Sequence, residues 1–216
     1  MIVYNARALL IDMDGTLVNS DAAVERVWRR WAAANGLNGD EVIRVAHGRQ
    51  GQATMAILLP NRPVEQNLAE NAWILSEETA DVEGVVAVPG AAEFLASLCG
   101  VPHALVTSAN APLSTARMNA AGLPLPTIRV TAESVASSKP HPEGFLKAAA
   151  ELGVAAEDCV VFEDSSAGIA AGRAAGMRVV GIGTRAHLHT PDVTALDFTA
   201  VRVEGAGNGL FRVHVG

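Results

Sequence analysis

The run Ala8-Leu9-Leu10-Ile11 ends in Asp12-Met13-Asp14-Gly15-Thr16, and this junction constrains the fold more than any other part of the 216-residue chain. A short, wholly apolar run closed by acids and a glycine reads as a buried strand that opens into a loop at its carboxyl end. In an open α/β sheet, ligands bind at that end of the strands. Side chains alternate along a strand, so Asp12 and Asp14 share a direction if the extended backbone continues, and Gly15 permits a sharp turn beyond them. Two acids facing one way repel, and a divalent cation with hard oxygen ligands is the simplest partner. An Asx-rich turn after a core strand accounts for the same residues without a metal.

The segment that follows reads as helical, with no strand. Asn19-Ser20-Asp21 suits the cap of a helix carrying Val24, Val27, Trp28 and Trp31 on one face, which Asn35-Gly36 would end. Further helices are predicted over about 40–46, 52–59 and 63–80. From Pro89 the pattern changes to helix 90–98, strand 103–106, helix 113–121, strand 127–130, helix 142–152, strand 159–162, helix 166–175 and strand 178–182. Strands alternating with helices of this length imply βαβ units and a parallel sheet. The expected fold is therefore α/β, with a parallel core from residues 1–17 and 87–216 and an all-helical insert over 18–86. Two alternating strands, 199–203 and 210–215, predict a C-terminal hairpin around Glu204 to Gly209.

Half the residues are hydrophobic and the formal net charge is −7. No basic stripe supports nucleic-acid binding, so any phosphate must meet a local cluster of donors. Cys99 and Cys159 stand far apart and read as small core hydrophobes rather than a disulfide or a zinc pair. No signal-peptide pattern and no bilayer-length apolar run occur, so no membrane association and a cytoplasmic address are expected. A monomer is expected, with a dimer as the alternative.

Four segments fall at the carboxyl ends of predicted strands or in loops returning to that edge: Asp12 and Asp14, Thr107-Ser108-Ala109-Asn110, Lys139-Pro140, and Glu163-Asp164. Taken singly, each has a plain structural reading: Thr107 and Ser108 as helix caps, Lys139 as a solvated loop residue, Glu163-Asp164 as an N-cap pair. Taken together, four acids and one lysine describe a crevice able to hold a divalent cation and a phosphoryl group. Lys139 and Lys147 are the only lysines, so Lys139 between Ser138 and Pro140 stands out as a compact point charge.

These segments carry a family resemblance. Asp12-Met13-Asp14-Gly15-Thr16, Leu105-Val106-Thr107-Ser108, Ser138-Lys139-Pro140-His141-Pro142 and Val161-Phe162-Glu163-Asp164-Ser165-Ser166-Ala167-Gly168-Ile169 resemble, in order, the motifs of the haloacid dehalogenase superfamily. The branch resembled has a helical cap after the first motif and includes sugar phosphatases and β-phosphoglucomutase, which makes the expected parallel core Rossmann-like and the insert over 18–86 a helical cap. The resemblance implies Mg2+, a small phosphorylated substrate and an aspartyl-phosphate intermediate, with Asp12 as nucleophile and Asp14 as acid and base. It also implies that Thr107, Ser108 and Lys139 hold the phosphoryl oxygens. Asp12, Asp14 through its backbone carbonyl, Glu163 and Asp164 would form the metal shell, and Asn110 would lie on the substrate side. His47, Gly48 and Arg49, with Gln50 nearby, are expected to read the substrate from the cap, and Glu25 is a weaker candidate. The insert contains no lysine for a Schiff base, and Val24 stands where the mutase has a histidine, which favours a phosphatase over a mutase. A catalytically idle sensor of phosphometabolites is the reading from another class. Trp28 and Trp31 are expected in the cap core, and His187 and His189 on the surface.

Overall fold

A computed structural model describes all residues from Met1 to Gly216. In chain order its elements begin with β1 (Ile2–Ala6), β2 (Ala8–Ile11) and β3 (Val18–Asn19). Four helices follow: α1 (Asp21–Ala34), α2 (Gly39–Ala46), α3 (Gly51–Leu58) and α4 (Val64–Ala80). The chain continues through β4 (Val86–Ala87), α5 (Ala91–Ser97), β5 (His103–Val106), α6 (Ala111–Ala120), β6 (Ile128–Val130) and α7 (Glu143–Leu152). It ends with β7 (Cys159–Glu163), α8 (Ser166–Ala174), β8 (Arg178–Ile182), the short turn α9 (Gly183–Ala186), β9 (Val193–Ala195), β10 (Val201–Gly207) and β11 (Leu210–Val215).

Six strands form one parallel sheet in the order β6-β5-β2-β7-β8-β9. The chain winds outward from β2 through β5 and β6, then returns to β7 on the other side. The loops after β2, β5 and β7 therefore meet at the switch point, where an open sheet binds its ligand. Residues of β2 are buried on both faces because alternate side chains serve different layers. Leu9 and Ile11 join Phe94, Leu105, Leu113, Phe162 and Phe198 on one side, while Leu10 joins Val106, Phe145, Val161 and Ile169 on the other. The helical segment has a third apolar core of its own around Val27, Trp28, Trp31, Val42, Met55 and Ile74.

The helical insert agrees with the pattern read from sequence, with one correction. β3 and β4, which the reading "no strand" omitted, pair antiparallel where the chain enters and leaves the helical layer, with Val18 opposite Ala87. Two-residue strands are too short to show a period. Also missed were β1 and β9. β1 pairs antiparallel with β11, making a three-stranded sheet β1-β11-β10, and this partner lies at the far end of the chain. The hairpin turn is tighter than expected, because β10 runs on to Gly207 and leaves Asn208-Gly209, both with positive φ, as the two-residue connection. Cys159 is buried as expected, but Cys99 is exposed: it lies beyond α5, where Leu98 takes the inward position.

Phe94 on α5 ties these layers together, stacking on Phe198 at 4.4 Å and meeting Phe162 edge-on at 5.2 Å. Phe94→Ala should destabilise the fold by about 3–5 kcal/mol. Thermal unfolding should register this as a fall of roughly 10 °C for a chain of this length.

Candidate active site

Register places the acids side by side. Ile11 pairs with both Leu105 and Phe162, so the next residue of each strand brings Asp12 between Val106 and Glu163, and the Asp12 amide donates to the Phe162 carbonyl at 3.0 Å. Asp12, Glu163 and Asp164 are all buried, with ligand oxygens within 4.8 Å of one another. Gly15 has φ +84°, and a Cβ there would stand 2.1 Å from Asp164 Oδ2, so only glycine allows the loop after β2 to pass so close to Asp164.

Lys139 reaches into this cluster. Its ammonium donates to Asp12 Oδ1 at 2.6 Å, Glu163 Oε1 at 2.8 Å and the Val106 carbonyl at 3.1 Å, above the Phe145 ring at 5.2 Å. Burial opposes its charge, but Asp12 and Glu163 outweigh burial and hold the ammonium above the usual lysine range. Glu163 is wholly buried, and its second oxygen accepts from the Ser165 amide at 2.7 Å and the Ser165 hydroxyl at 3.0 Å. Ser165, not Glu163 or Asp164, caps α8, accepting from the Gly168 amide. Asp164 meets Arg185 Nε at 3.0 Å, and Arg185 Nη2 holds Asp21 of α1 at 2.9 Å.

One ammonium and one guanidinium do not neutralise this cluster. Burial pushes the Asp12 carboxyl up to about 7 despite Lys139, and burial reinforced by Glu163 and Asp12 raises Asp164 well above the carboxylate range. A set of hard oxygen donors with charge left over fits a divalent cation. Asp12 and Asp164 would hold it directly, with Glu163 anchored beside them.

Asp14 points elsewhere. Its carboxylate is outside the acidic triad; Oδ1 accepts from the Ser20 hydroxyl at 2.6 Å and meets Arg117 Nη1 at 2.8 Å. Ser20 therefore serves this acid and makes no side-chain cap of α1. Asp12 and Asp14 line a cleft between the sheet and the helical layer, together with Thr107 and Ser108. Thr107 Oγ1 accepts from the Ala109 amide, and Ser108 donates to the Gly48 carbonyl at 3.0 Å.

His47, Gly48 and Arg49 of the helical layer also line this cleft. Gly48, φ +75°, lies so close to the core that a Cβ would stand 2.1 Å from Ser165 Oγ. Burial, then Arg185, lowers the His47 pKa, so the ring is neutral near pH 7. Gln50 donates to the Ala132 carbonyl of the core at 3.2 Å. Two expectations need correction. Asn110 does not line the cleft; its carboxamide accepts from the Leu113 amide as the cap of α6. Glu25 turns outward and pairs with Arg29 one helical turn on. Trp28 and Trp31 are buried in the helical core, Trp28 also touching the cleft, and His187 is exposed. Sequence reasoning missed Asn71, Glu78, Arg117 and Arg185. A buried arginine on a mostly apolar helix has no local signature; its partners come from other elements.

An open parallel sheet, strand-end acids at the switch point, a buried lysine and a helical layer closing a polar cleft define an α/β protein with a buried carboxylate site able to serve as nucleophile or metal holder. The model of the haloacid dehalogenase-like hydrolase family matches residues 6–176, and the chain belongs to that family. It is 38% identical over 200 residues to hexitol phosphatase A of Escherichia coli (strain K12), covering 92% of each chain. It is 34% identical to validoxylamine A 7'-phosphate phosphatase of Streptomyces hygroscopicus subsp. limoneus, covering 91% of this chain and 96% of that one. A crystal structure of β-phosphoglucomutase from Clostridium difficile shares the fold, with TM-score 0.77 at 20% identity, covering 88% of this chain and 90% of that one. No helix is long and apolar enough to cross a membrane.

Glu78 offers a pH test of this geometry. Burial pushes its carboxyl up to about 6, against the pull of Arg117. A raised carboxyl pKa means that the folded state binds the proton more tightly, so Glu78's contribution to stability falls as pH rises from about 4.5 through 6. Glu78→Gln removes that dependence. The difference in unfolding free energy, variant minus parent, should rise by about 2 kcal/mol across this window in denaturant titrations at each pH.

Proposed function

We propose that the chain is a Mg2+-dependent phosphatase of small phosphorylated sugars or sugar alcohols, working through a phosphorylated Asp12. The observation that carries this reading is Asp12 itself: a buried carboxylate at the floor of the cleft, held by Lys139 at 2.6 Å, with a second acid, Asp14, beside it in the same cleft. The family relatives named above that dephosphorylate hexitol and validoxylamine phosphates support the substrate class.

In this reading Asp12 and Asp164 would hold a Mg2+ ion, which would supply positive charge against the repulsion between a carboxylate and a phosphoryl dianion. The chain's own groups do the rest. An Asp12 oxygen forms a bond to phosphorus as the bond to the sugar oxygen breaks, and Asp14 donates the proton that this oxygen takes up with its electron pair. Lys139, the Thr107 hydroxyl and the Ser108 amide hold the phosphoryl oxygens as charge builds on them. Asp14, now a carboxylate, then takes a proton from the water whose oxygen bonds to phosphorus as the Asp12 oxygen–phosphorus bond breaks, which releases inorganic phosphate and restores the Asp12 carboxylate. The helical layer, acting as a cap domain over about residues 18–86, would open to admit substrate and close to exclude water, pivoting at the β3–β4 crossing. His47 and Arg49 face the departing sugar.

Val24 supports hydrolysis over return of the phosphoryl group to a second position: the cleft wall there is an apolar side chain, not a proton carrier. A monomeric enzyme meeting a soluble metabolite in the cytoplasm fits the same reading.

Phosphate release from a panel of hexose and hexitol phosphates tests it. Turnover should require Mg2+, stop with chelator, and fall by at least about 10⁴-fold in Asp12→Asn. A parent enzyme that releases no phosphate from any of them, or an Asp12→Asn variant that retains turnover, would overturn the assignment.

A further inference from the structure

Arg117 is the most deeply buried arginine of the site, 3% exposed, and it belongs to neither the acidic triad nor the lysine. It rises from α6 of the core and ends between two carboxylates of different layers. Nη1 lies 2.8 Å from Asp14 Oδ1, and Nη2 lies 3.1 Å from Oε2 of Glu78 on α4 of the helical layer. Glu78 is 5% exposed, and all three side chains line the cleft. The Nε donor of Arg117 has no hydrogen-bond partner despite its burial, so the two carboxylates are the groups that hold the guanidinium. Taking a guanidinium out of water costs several kcal/mol unless counter-ions meet it. Here one of them arrives only when the helical layer lies on the core.

We propose that Arg117 is a positioning residue for Asp14, and that Glu78 completes it from the cap, so that the acid is aimed at the leaving oxygen only in the closed enzyme. The inference rests on Asp14 acting as the proton donor proposed above. The planar fork of an arginine suits the task, since it spans two carboxylates at once where a lysine ammonium would sit on one. Ser20 fixes Asp14 from the other side, through the same Oδ1 atom. With Oδ1 clamped between a hydroxyl and a guanidinium, the Asp14 carboxyl keeps one orientation and Oδ2 is left to carry the proton it donates. Freed of Arg117 it can rotate about its side-chain bonds, and a misplacement of about 1 Å is enough to cost roughly 10²-fold in rate.

The test separates leaving groups. A sugar oxygen needs a proton as it departs, whereas 4-nitrophenolate leaves well without one. Values of kcat/KM report the step in which Asp12 attacks, and are compared for the best sugar or hexitol phosphate and for 4-nitrophenyl phosphate in the parent, Arg117→Met, Glu78→Gln and Asp14→Asn. Arg117→Met should lose roughly 10²-fold on the sugar phosphate and under about threefold on 4-nitrophenyl phosphate. Glu78→Gln should shift in the same sense by a smaller factor, and Arg117→Lys should recover part of the loss. Equal losses on both substrates, or no loss on either, overturn the proposal, because a structural role does not distinguish leaving groups. If Arg117→Met does not fold, Glu78→Gln decides the matter by the same contrast. Asp14→Asn isolates the underlying reading: if it shows no contrast between substrates, Asp14 is not the acid; if it does and Arg117→Met does not, Arg117 does not position it.

Discussion

Mutual repulsion among buried carboxylates governs this molecule. Asp12, Glu163 and Asp164 sit within 4.8 Å of one another, away from water, and Asp14 stands nearby. Such a cluster persists only if cations are delivered to it, since an uncompensated buried charge costs several kcal/mol. Three are delivered, each from a different place and each in a form that suits its position. The compact ammonium of Lys139 fits between Asp12 and Glu163, where a guanidinium would be too broad. The two arginines work at the seam between layers, where a fork can hold a core acid with one arm and a cap acid with the other. Arg117 joins Asp14 to Glu78, and Arg185 joins Asp164 to Asp21. The charge that remains is what makes a divalent cation fit.

The sheet makes so unfavourable a cluster affordable. β2 and β7 are apolar on both faces, lie side by side in parallel register, and stop within a residue of each other. Burying Leu9, Leu10, Ile11, Val160, Val161 and Phe162 against helices on two sides contributes about 1.5–3 kcal/mol per large side chain. The strand ends are thus held rigidly by apolar packing, and the acids they carry cannot move apart to relieve their repulsion. Glu163 shows how complete the constraint is: Lys139 takes one oxygen and Ser165 the other, so its orientation is determined by the backbone of the turn into α8.

What was legible in the sequence is what local pattern encodes. The alternation of strand and helix gave the parallel sheet, and the acids at strand ends gave Asp12, Glu163 and Asp164, because a residue following an apolar strand has a determined place in an α/β sheet. The features not legible depend on partners remote in sequence. β1 is a strand because β11, two hundred residues on, lies beside it, and β3 and β4 exist because two crossings run together. Arg117 looks like any surface arginine until α4 is laid over α6. Asn110 illustrates the converse: a polar residue at the right loop is drawn off by a local demand, the open amides at the start of α6. Position along the chain identifies which loop reaches the site, but hydrogen-bond demand decides which of its side chains is free to serve there.

The seam between the layers has a different chemistry from the layers themselves. Above it the helices close on an apolar cluster of their own; below it the sheet closes on two others, one of which also takes in Ala23 of α1 and, packed against it, Leu75 of α4. Across it run polar contacts: Ser108 to the Gly48 carbonyl, Gln50 to the Ala132 carbonyl, Arg185 to Asp21 and Arg117 to Glu78. Water can replace hydrogen bonds of this kind at a net cost of about 1 kcal/mol each, far less than separating apolar faces of similar extent. The exception is the buried Arg117–Glu78 pair, whose separation hydrates both ions and so offsets much of the attraction lost. A layer with its own core, tied to the sheet in large part by bonds that water can take over and joined by two crossings of two-residue strands, has the build that the proposed opening requires. Asp14, held by an arginine whose second counter-ion belongs to the helical layer, has its complete set of partners only with that layer in place.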